Sequence, residues 1–380
     1  MNGYFDNNAT TPLHPAARAA WLETADRFWQ NPSSLYREAG AARQKLEDCR
    51  EQVADRLGCG AEEIIFLSGA TEANNSVIAH AAACGFRSIA ISAIEHPCVR
   101  EPAEHFFRDA LTIIPVTPDG VTDLGALEEI LTTQSPRLVA VMAANNETGV
   151  LQPWPEASAL CRRHGALFHC DAAQWIGKKP AAGLGICDFI TGSAHKFGGP
   201  KGVAFLKVPE GGRPFRSLRG GPQEERRRAG TENLPAVAAM LAAWDAVESS
   251  LTELESDRIL ARRGFEQAIM ASFPGVRLIA EASPRLWNTV LLTVPGPVNV
   301  KWLTRLSARG FAVSTGSACS RGAGASDVLR AMGLPDDQSG QLLRLSGGWD
   351  TTAEDWLALA DAFANAVAAN DRGAPARLRN

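Results

Sequence analysis

Residues 191–202, "TGSAHKFGGPKG", set Ser193, His195 and Lys196 almost side by side, then follow them with glycines and a proline that a regular helix or strand does not tolerate. A lysine on a loop is usually a solvated side chain. Here the apolar run "CDFITGSA" precedes it, so Lys196 stands where a strand leaves a sheet and is a candidate for chemistry. Asp171 ends another apolar run, "ALFHC". A carboxylate at that depth needs a partner, because an unpaired buried charge is very costly; it either caps a turn or faces the cation of a ligand. A third candidate is Ser68-Gly69-Ala70-Thr71, which joins the β-branched run "EEIIFL" to the helix-forming "TEANNSVIAHAAA". Unpaired N–H groups at a helix start, with the Thr71 hydroxyl, suit a phosphate; taken alone, the turn is a plain helix start with Thr71 as N-cap.

One hypothesis joins the three. A pyridinium nitrogen facing Asp171, a Schiff base on Lys196 and a phosphate at residues 69–71 are what pyridoxal phosphate requires. Neither G-x-G-x-x-G nor G-x-x-x-x-G-K-[ST] occurs, which argues against dinucleotide-dependent dehydrogenases and P-loop phosphotransferases. His96, in "EHPC", offers a flat imidazole that either stacks on an aromatic ring and moves protons or serves as a structural histidine. Asn146 and Gln174 could be loop hydrogen-bonders, or could fix a phenolate oxygen or a substrate carboxylate without adding charge. Cys319 lies in "VSTGSACSRGAGAS", among small residues and an arginine; these are the surroundings of an accessible thiol, against the plainer reading of an incidental exposed cysteine. Arg344 interrupts the apolar run "LLRLSGG" and needs an anion, a substrate carboxylate or a structural ion pair.

The elements that must position these groups follow from periodicity. Short apolar runs at "EEIIFL", "SIAISAI", "LTIIPV", "LVAVMAA", "ALFHCDA", "DFITGSA" and "GVAFLKV" alternate with segments of helical composition, such as residues 42–57 with apolar positions three or four apart. This pattern predicts an α/β fold with a largely parallel sheet covered on both faces, and such sheets bind ligands at the carboxyl ends of their strands. The candidate residues fall at those ends. After about residue 245 the texture changes to a long helix, short strands in "RLWNTVLLTVPG" and "FAVSTG", and a final helix near 353–369. The expected organisation is a large domain, 16–245, and a smaller α+β domain made of 1–15 and 246–380.

Composition narrows the classes further. The 38 basic and 42 acidic residues give a net charge of −4 with no sustained basic stripe, which argues against nucleic acid or an anionic membrane surface as partner. No apolar run reaches membrane-spanning length, and "MNGYFDNNATTP" lacks the order of a secretory signal, so the expected compartment is the cytoplasm. The eight cysteines form no C-x-x-C pair, which argues against zinc or a dithiol redox site and predicts buried, reduced thiols for the seven other than Cys319.

Taken in order, "YFDNNATTPLHP", "NPSSLY", "FLSGATEANN", "EHPCV", "NNETGVLQP", "HCDAAQWIGK", "SAHKFGGPKG", "GGPQEERRRAGTEN" and "STGSACS" resemble the signatures of NifS/IscS-type cysteine desulfurases, pyridoxal phosphate enzymes of aminotransferase class V. The resemblance runs from residue 4 to about 352 and implies the fold-type I architecture. By it, Lys196 would carry the Schiff base and Asp171 would face the pyridine nitrogen. His96 would stack on the ring and relay protons, Gln174 would contact the ring oxygen, and Asn146 would lie between cofactor and substrate carboxylate. Ala70, Thr71, Ser193 and His195 would hold the phosphate, joined by Thr231 of a neighbouring subunit in a homodimer. Asn31 and Arg344 would take the carboxylate of L-cysteine.

The implied reaction converts L-cysteine to L-alanine and leaves the sulfur as a persulfide on Cys319, for transfer to an acceptor such as an iron–sulfur scaffold or a thio-cofactor pathway. Tyr36 stands where the family usually has histidine, and "RGAGASDVLRAMG" after Cys319 is one residue shorter than usual and lacks the Pro-Ser-His. Two further readings share the motifs. One is a class V relative acting by transamination or as a lyase, which Cys319 argues against; the other is a catalytically silent binding partner, which the presence of both Lys196 and Cys319 argues against. Selenocysteine would satisfy the same motifs as a substrate.

Overall fold

The computed structural model describes residues 3–211, 215–316 and 326–371. The described strands are, in chain order, β1 (Gly3–Tyr4), β2 (Ile64–Leu67), β3 (Ile89–Ser92), β4 (Leu111–Ile114), β5 (Leu138–Ala140), β6 (Leu167–Asp171), β7 (Phe189–Ser193), β8 (Ala204–Lys207), β9 (Arg277–Leu278), β10 (Thr289–Thr293), β11 (Phe311–Ala312) and β12 (Leu342–Ser346). Among the described residues, β2 to β8 form one sheet of seven strands in the order β2-β8-β7-β6-β5-β3-β4. Each of the seven apolar runs contributes one of them.

From β4 to β7 the neighbours are parallel, whereas β8 is antiparallel to both β7 and β2. Thus β2, β3, β5, β6 and β7 all point the same way, and the loops that leave them emerge at one end. β3 connects outward to the edge strand β4, while β5 lies on the other side of β3 and leads toward β6. The reversal opens a crevice between the carboxyl ends of β3 and β5, the usual ligand position in such sheets.

Alternate residues of each strand serve opposite faces. Ile64, Phe66, Val139, Phe168, Ile190 and Phe205 join the helices Arg37–Leu57, Trp154–His164 and Leu234–Glu248 in one apolar cluster. Ile65, Leu67, Leu138, Phe189 and Leu206 join Ala70–Ala83 and Pro97–Phe107 in another. Burial on both sides explains why these strands read as continuous apolar runs without alternation. The helix expected over 42–57 begins earlier, at Arg37.

The C-terminal elements have a core of their own. β10 pairs antiparallel with β12 and β9, and the helices Leu251–Ser272 and Ala353–Asp371 bring Phe265, Ile269, Phe363 and Trp356 onto the sheet. Phe5 belongs to this cluster, its ring 4.7 Å from that of Trp356 in an edge contact, and β1 pairs with β11. The N-terminal strand is therefore part of the C-terminal core, while the residues just after it run to Lys196. Residues 246–248 continue the helix Leu234–Glu248, whose apolar side chains pack with the large sheet. Among the described residues, no helix is long and apolar enough to cross a membrane.

Candidate active site

At the carboxyl ends of β2, β3, β5, β6 and β7 lies a cavity of about 430 Å³, lined in part by Ala70, Thr71, His96, Asn146, Asp171, Gln174, His195 and Lys196. Eight of the predicted residues, scattered over more than a hundred positions, share one wall. Ser193, Thr231, Asn31 and Arg344 do not line it, and Cys319 lies outside the described residues.

Glycine explains the break after Lys196. The short helical turn Ala194–Lys196 ends β7, and Gly199 N–H donates to Ala194 O at 2.9 Å. A Cβ on Gly199 would stand 2.7 Å from that of Ala194, and Gly198 has φ 92°, so this fold-back accepts no larger side chain. Lys196 is thereby aimed at the N-terminal segment. Its Nζ donates to Asn8 O at 2.6 Å and Ala9 O at 3.0 Å.

Asp171, only 7% exposed, needs no cation to hold it in place. Its Oδ2 accepts from Asn74 Nδ2 at 2.7 Å and its Oδ1 from Ala173 N–H at 2.9 Å. Hydrogen bonds to a carboxylate are among the stronger ones. The charge stays available to the cavity.

His96 is the N-cap of Pro97–Phe107, and its Nδ1 accepts from Cys98 N–H at 3.2 Å while lying 2.9 Å from Cys98 Sγ. Burial pushes the Cys98 thiol up, so the sulfur keeps its proton, and Asn74 Nδ2 approaches it at 3.1 Å. With Nδ1 an acceptor, the imidazole proton sits on Nε2. Burial lowers the proton affinity of His96, the Lys196 charge lowers it further, and Asp171 acts in the opposite sense. Next to it Glu95 is buried, with Oε1 accepting from Met142 N–H at 2.6 Å. Burial, reinforced by Asp171, pushes its carboxyl up to about 8, which keeps a second negative charge out of the site near neutral pH.

The turn expected to hold a phosphate differs in one detail from the expectation. The N-cap is Gly69, not Thr71: the helix runs Ala70–Ala83, so Thr71 lies in its first turn with its hydroxyl released from capping. Ser68 N–H and Oγ are engaged by Glu72, which Arg228 holds in turn at 2.9 Å. Ser193, at the end of β7, is fully buried, and its Oγ has no hydrogen-bond partner among the described residues. An orphaned hydroxyl of this kind fits a group that is to be bound. His195 Nδ1 lies 3.2 Å from Thr10 Oγ1, and burial, with Lys196, Lys201 and Lys178 adding to it, lowers its pKa to about 4. A neutral, donating imidazole beside Lys201 suits a phosphate oxygen.

The remaining predicted residues occupy other surroundings. Thr231 lines a smaller pocket of about 190 Å³ that shares Ser68 and Gly202 with the main cavity. Asn31 is exposed, its Oδ1 accepting from Ser33 N–H at 2.9 Å. Arg344 is 2% exposed, and the anion it meets is Asp6, at 2.7 Å. Its NH1 also donates to Asn146 O at 3.1 Å, so it stands directly behind a cavity residue. Asn74, Glu95, Cys98 and Lys178 belong to the site without having been predicted. "ATEANN" and "EHPC" place the first three near recognised residues, but nothing local indicates that they turn inward.

Comparison with known proteins agrees with this geometry. The family described as Aminotransferase class-V matches residues 3–359. A "Cysteine desulfurase" of Cereibacter sphaeroides is 39% identical over 363 residues, 92% of this chain and 92% of that relative. The solved structure of a "NifS-like protein" superposes with a TM-score of 0.88 at 29% identity, covering 97% of this chain and all of that one. A structure described as "SspA in complex with cysteine" gives a TM-score of 0.78 at 27% identity, covering 90% of this chain and 98% of that one. The chain belongs to the class-V aminotransferase family, on its cysteine desulfurase branch.

Proposed function

We propose that this protein is a pyridoxal phosphate-dependent cysteine desulfurase, which converts L-cysteine to L-alanine and collects the sulfur on Cys319. The observation that carries the reading is the convergence of Lys196, Asp171 and the Ala70–Thr71 helix start, from the ends of three separate strands, on one cavity. These residues fit the cofactor, with Lys196 as the covalent anchor and Asp171 against the ring nitrogen. His96 would lie over the ring and Gln174 at its oxygen. Ala70, Thr71, Ser193 and His195 would surround the phosphate, and Thr231 would reach the corresponding site of a second copy in a homodimer.

When bound, pyridoxal phosphate withdraws electrons from the α-carbon of an attached amino acid. The chain's own residues supply the rest. Once the amine of L-cysteine has displaced it as the covalent partner, Lys196 would take the α-proton on its freed Nζ, which Asn8 O and Ala9 O are placed to hold nearby. Asn146 binds the substrate carboxylate together with Asn31 and with Arg344, which would exchange Asp6 for it. His96, with its proton on Nε2, faces the cavity as a donor. The Cys319 thiolate attacks the sulfur of the bound cysteine; the C–S bond breaks with its electron pair going to carbon, which takes up a proton and leaves as alanine. Glu147, beside Asn146, accepts from Ser326 Oγ at 2.7 Å, which tethers the chain just after the segment containing Cys319 to the cavity loop. The persulfide then passes to an acceptor protein of iron–sulfur cluster or thio-cofactor assembly, in the cytoplasm.

The deciding test is alanine formation from L-cysteine by the purified, cofactor-loaded protein beside Cys319→Ser under reducing conditions. The expected result is turnover by the first, and retained cofactor absorbance without turnover by the second. Equal alanine formation by both would remove Cys319 from the mechanism.

A further inference from the structure

Lys178 is a buried base that the mechanism above leaves without a task. It lies in the loop after β6, is 3% exposed, and pairs with no carboxylate among the described residues. Its Nζ donates to Gln174 Oε1 at 2.6 Å. A lysine in such a place is expensive, since its ammonium form loses its hydration on burial. Here burial lowers its proton affinity well below the usual lysine range, and the charges of Lys196 and Arg344 add to the effect. A methionine or leucine would fill the same space at lower cost.

We infer that Lys178 is a positioning residue that fixes the amide of Gln174 with an N–H, and not the carbonyl, toward the cavity. The inference rests on the pyridoxal phosphate reading, in which Gln174 meets the ring oxygen. Lysine offers donors only in its charged form and still offers N–H groups when neutral, so Oε1 of Gln174 is held in either protonation state. Gln174 Nε2 gives one hydrogen to Asn8 O at 2.9 Å. Its second hydrogen remains for the cavity, whose wall Gln174 forms.

Turning the amide over would set its carbonyl against Asn8 O, an acceptor facing an acceptor, and its NH2 against Lys178, a donor facing a donor while the lysine carries its proton. Two hydrogen bonds would be lost together. An anionic phenolate oxygen requires the donor, and the flipped amide would repel it. Asn8 O is shared, accepting also from Lys196 Nζ at 2.6 Å, so the amide orientation and the lysine position are set by one carbonyl. The backbone role of Lys178, accepting from Trp287 Nε1 at 3.1 Å, survives any substitution of its side chain.

The test uses the full chain loaded with pyridoxal phosphate and reads the pH midpoint of the cofactor absorbance change and the cofactor's dissociation constant. A donor at the ring oxygen draws electron density from the ring and favours proton loss, so Lys178→Met raises the midpoint by about one pH unit and weakens cofactor binding. Gln174→Leu shifts both in the same sense, and the double variant goes no further than either single one. Lys178→Gln, which keeps an N–H donor, moves the midpoint back toward wild type and serves if the methionine variant does not fold. A midpoint unchanged in Lys178→Met, or shifts that add in the double variant, overturns the inference. A wild-type protein that takes up no pyridoxal phosphate overturns it together with the function proposed above. Uptake without alanine formation overturns the reaction alone, since the midpoints are read without turnover.

Discussion

Two cavities of nearly equal volume, about 430 and 470 Å³, sit at opposite ends of the same strands. The helix Ala70–Ala83 touches both, with Ala70 and Thr71 in the wall of one and His80 in the wall of the other. β6 likewise gives Asp171 to the first and Leu167 to the second. Volume does not distinguish them. In the first, ionisable and amide groups such as Asp171 and Gln174 are buried and individually held; in the second, Leu167, Phe189 and Phe215 form the wall and the charged Glu62, Arg137 and Glu210 are exposed. What differs is direction. Parallel strands send their carboxyl ends and the helix starts that follow them to one end, where N–H groups and desolvated charges can act on a ligand.

The largest effect expected from this difference is at Lys196. On the proposed reading Lys196→Ala removes both the covalent anchor and the base, and should lower alanine formation by on the order of 10³-fold or more. An effect below tenfold would mean that the polar cavity is not where the reaction occurs. Asp171→Asn comes next. It keeps the acceptor for Ala173 N–H but removes the charge, so kcat/KM should fall by on the order of 10²-fold while the fold is retained. Cofactor absorbance and far-ultraviolet circular dichroism, measured beside the rate, separate loss of chemistry from loss of structure.

Much of the polar cavity was legible because strand ends are legible. A run of β-branched and aromatic residues that stops at Asp171, or at Ser193 to Lys196, fixes both the element and the end of it, and parallel topology then brings those ends together. Other contacts carry no local signal. Arg344 was readable as needing an anion, but its pairing with Asp6 depends on β12 lying beside the N-terminal segment, far away in sequence. Lys178 reads as an ordinary loop lysine in "WIGKK"; only the fold shows that it turns inward to Gln174. Thr71 was a reasonable N-cap by residue type, yet Gly69 takes that place because the strand-to-helix turn closes two residues earlier.

Glu95 offers a thermodynamic probe of the same polar end. Its carboxyl is raised from 4.5 to about 8 in the folded protein. Between these values the native state binds the extra proton, so the contribution of Glu95 to stability is greatest below the unfolded value and is lost as pH rises through about 8. Glu95→Gln removes the ionisation and keeps an acceptor for Met142 N–H. Relative to wild type it should gain on the order of 4 kcal/mol in going from pH 5 to pH 9, read from urea unfolding at the two values. A difference between the two proteins that does not change with pH would show that the carboxyl is not desolvated, and would weaken the contrast between the cavities.

The smallest effect is expected in the other cavity, at the residue that most resembles a catalytic one. Cys84 Sγ lies 3.4 Å from His80 Nε2, and a cysteine beside a histidine is the usual form of an activated nucleophile. The helix argues against that role. Cys84 is the C-cap of Ala70–Ala83, where unpaired carbonyls gather and the helix dipole is negative, the end of a helix that offers no N–H groups to a ligand. The favourable end of this same helix is at Ala70 and Thr71, in the polar cavity. Cys84→Ser should therefore leave alanine formation within about twofold of wild type, as expected for a site away from the chemistry. A large loss in this variant, with the fold intact, would mean that the two ends of the sheet act together, and the contrast drawn from strand direction would fail.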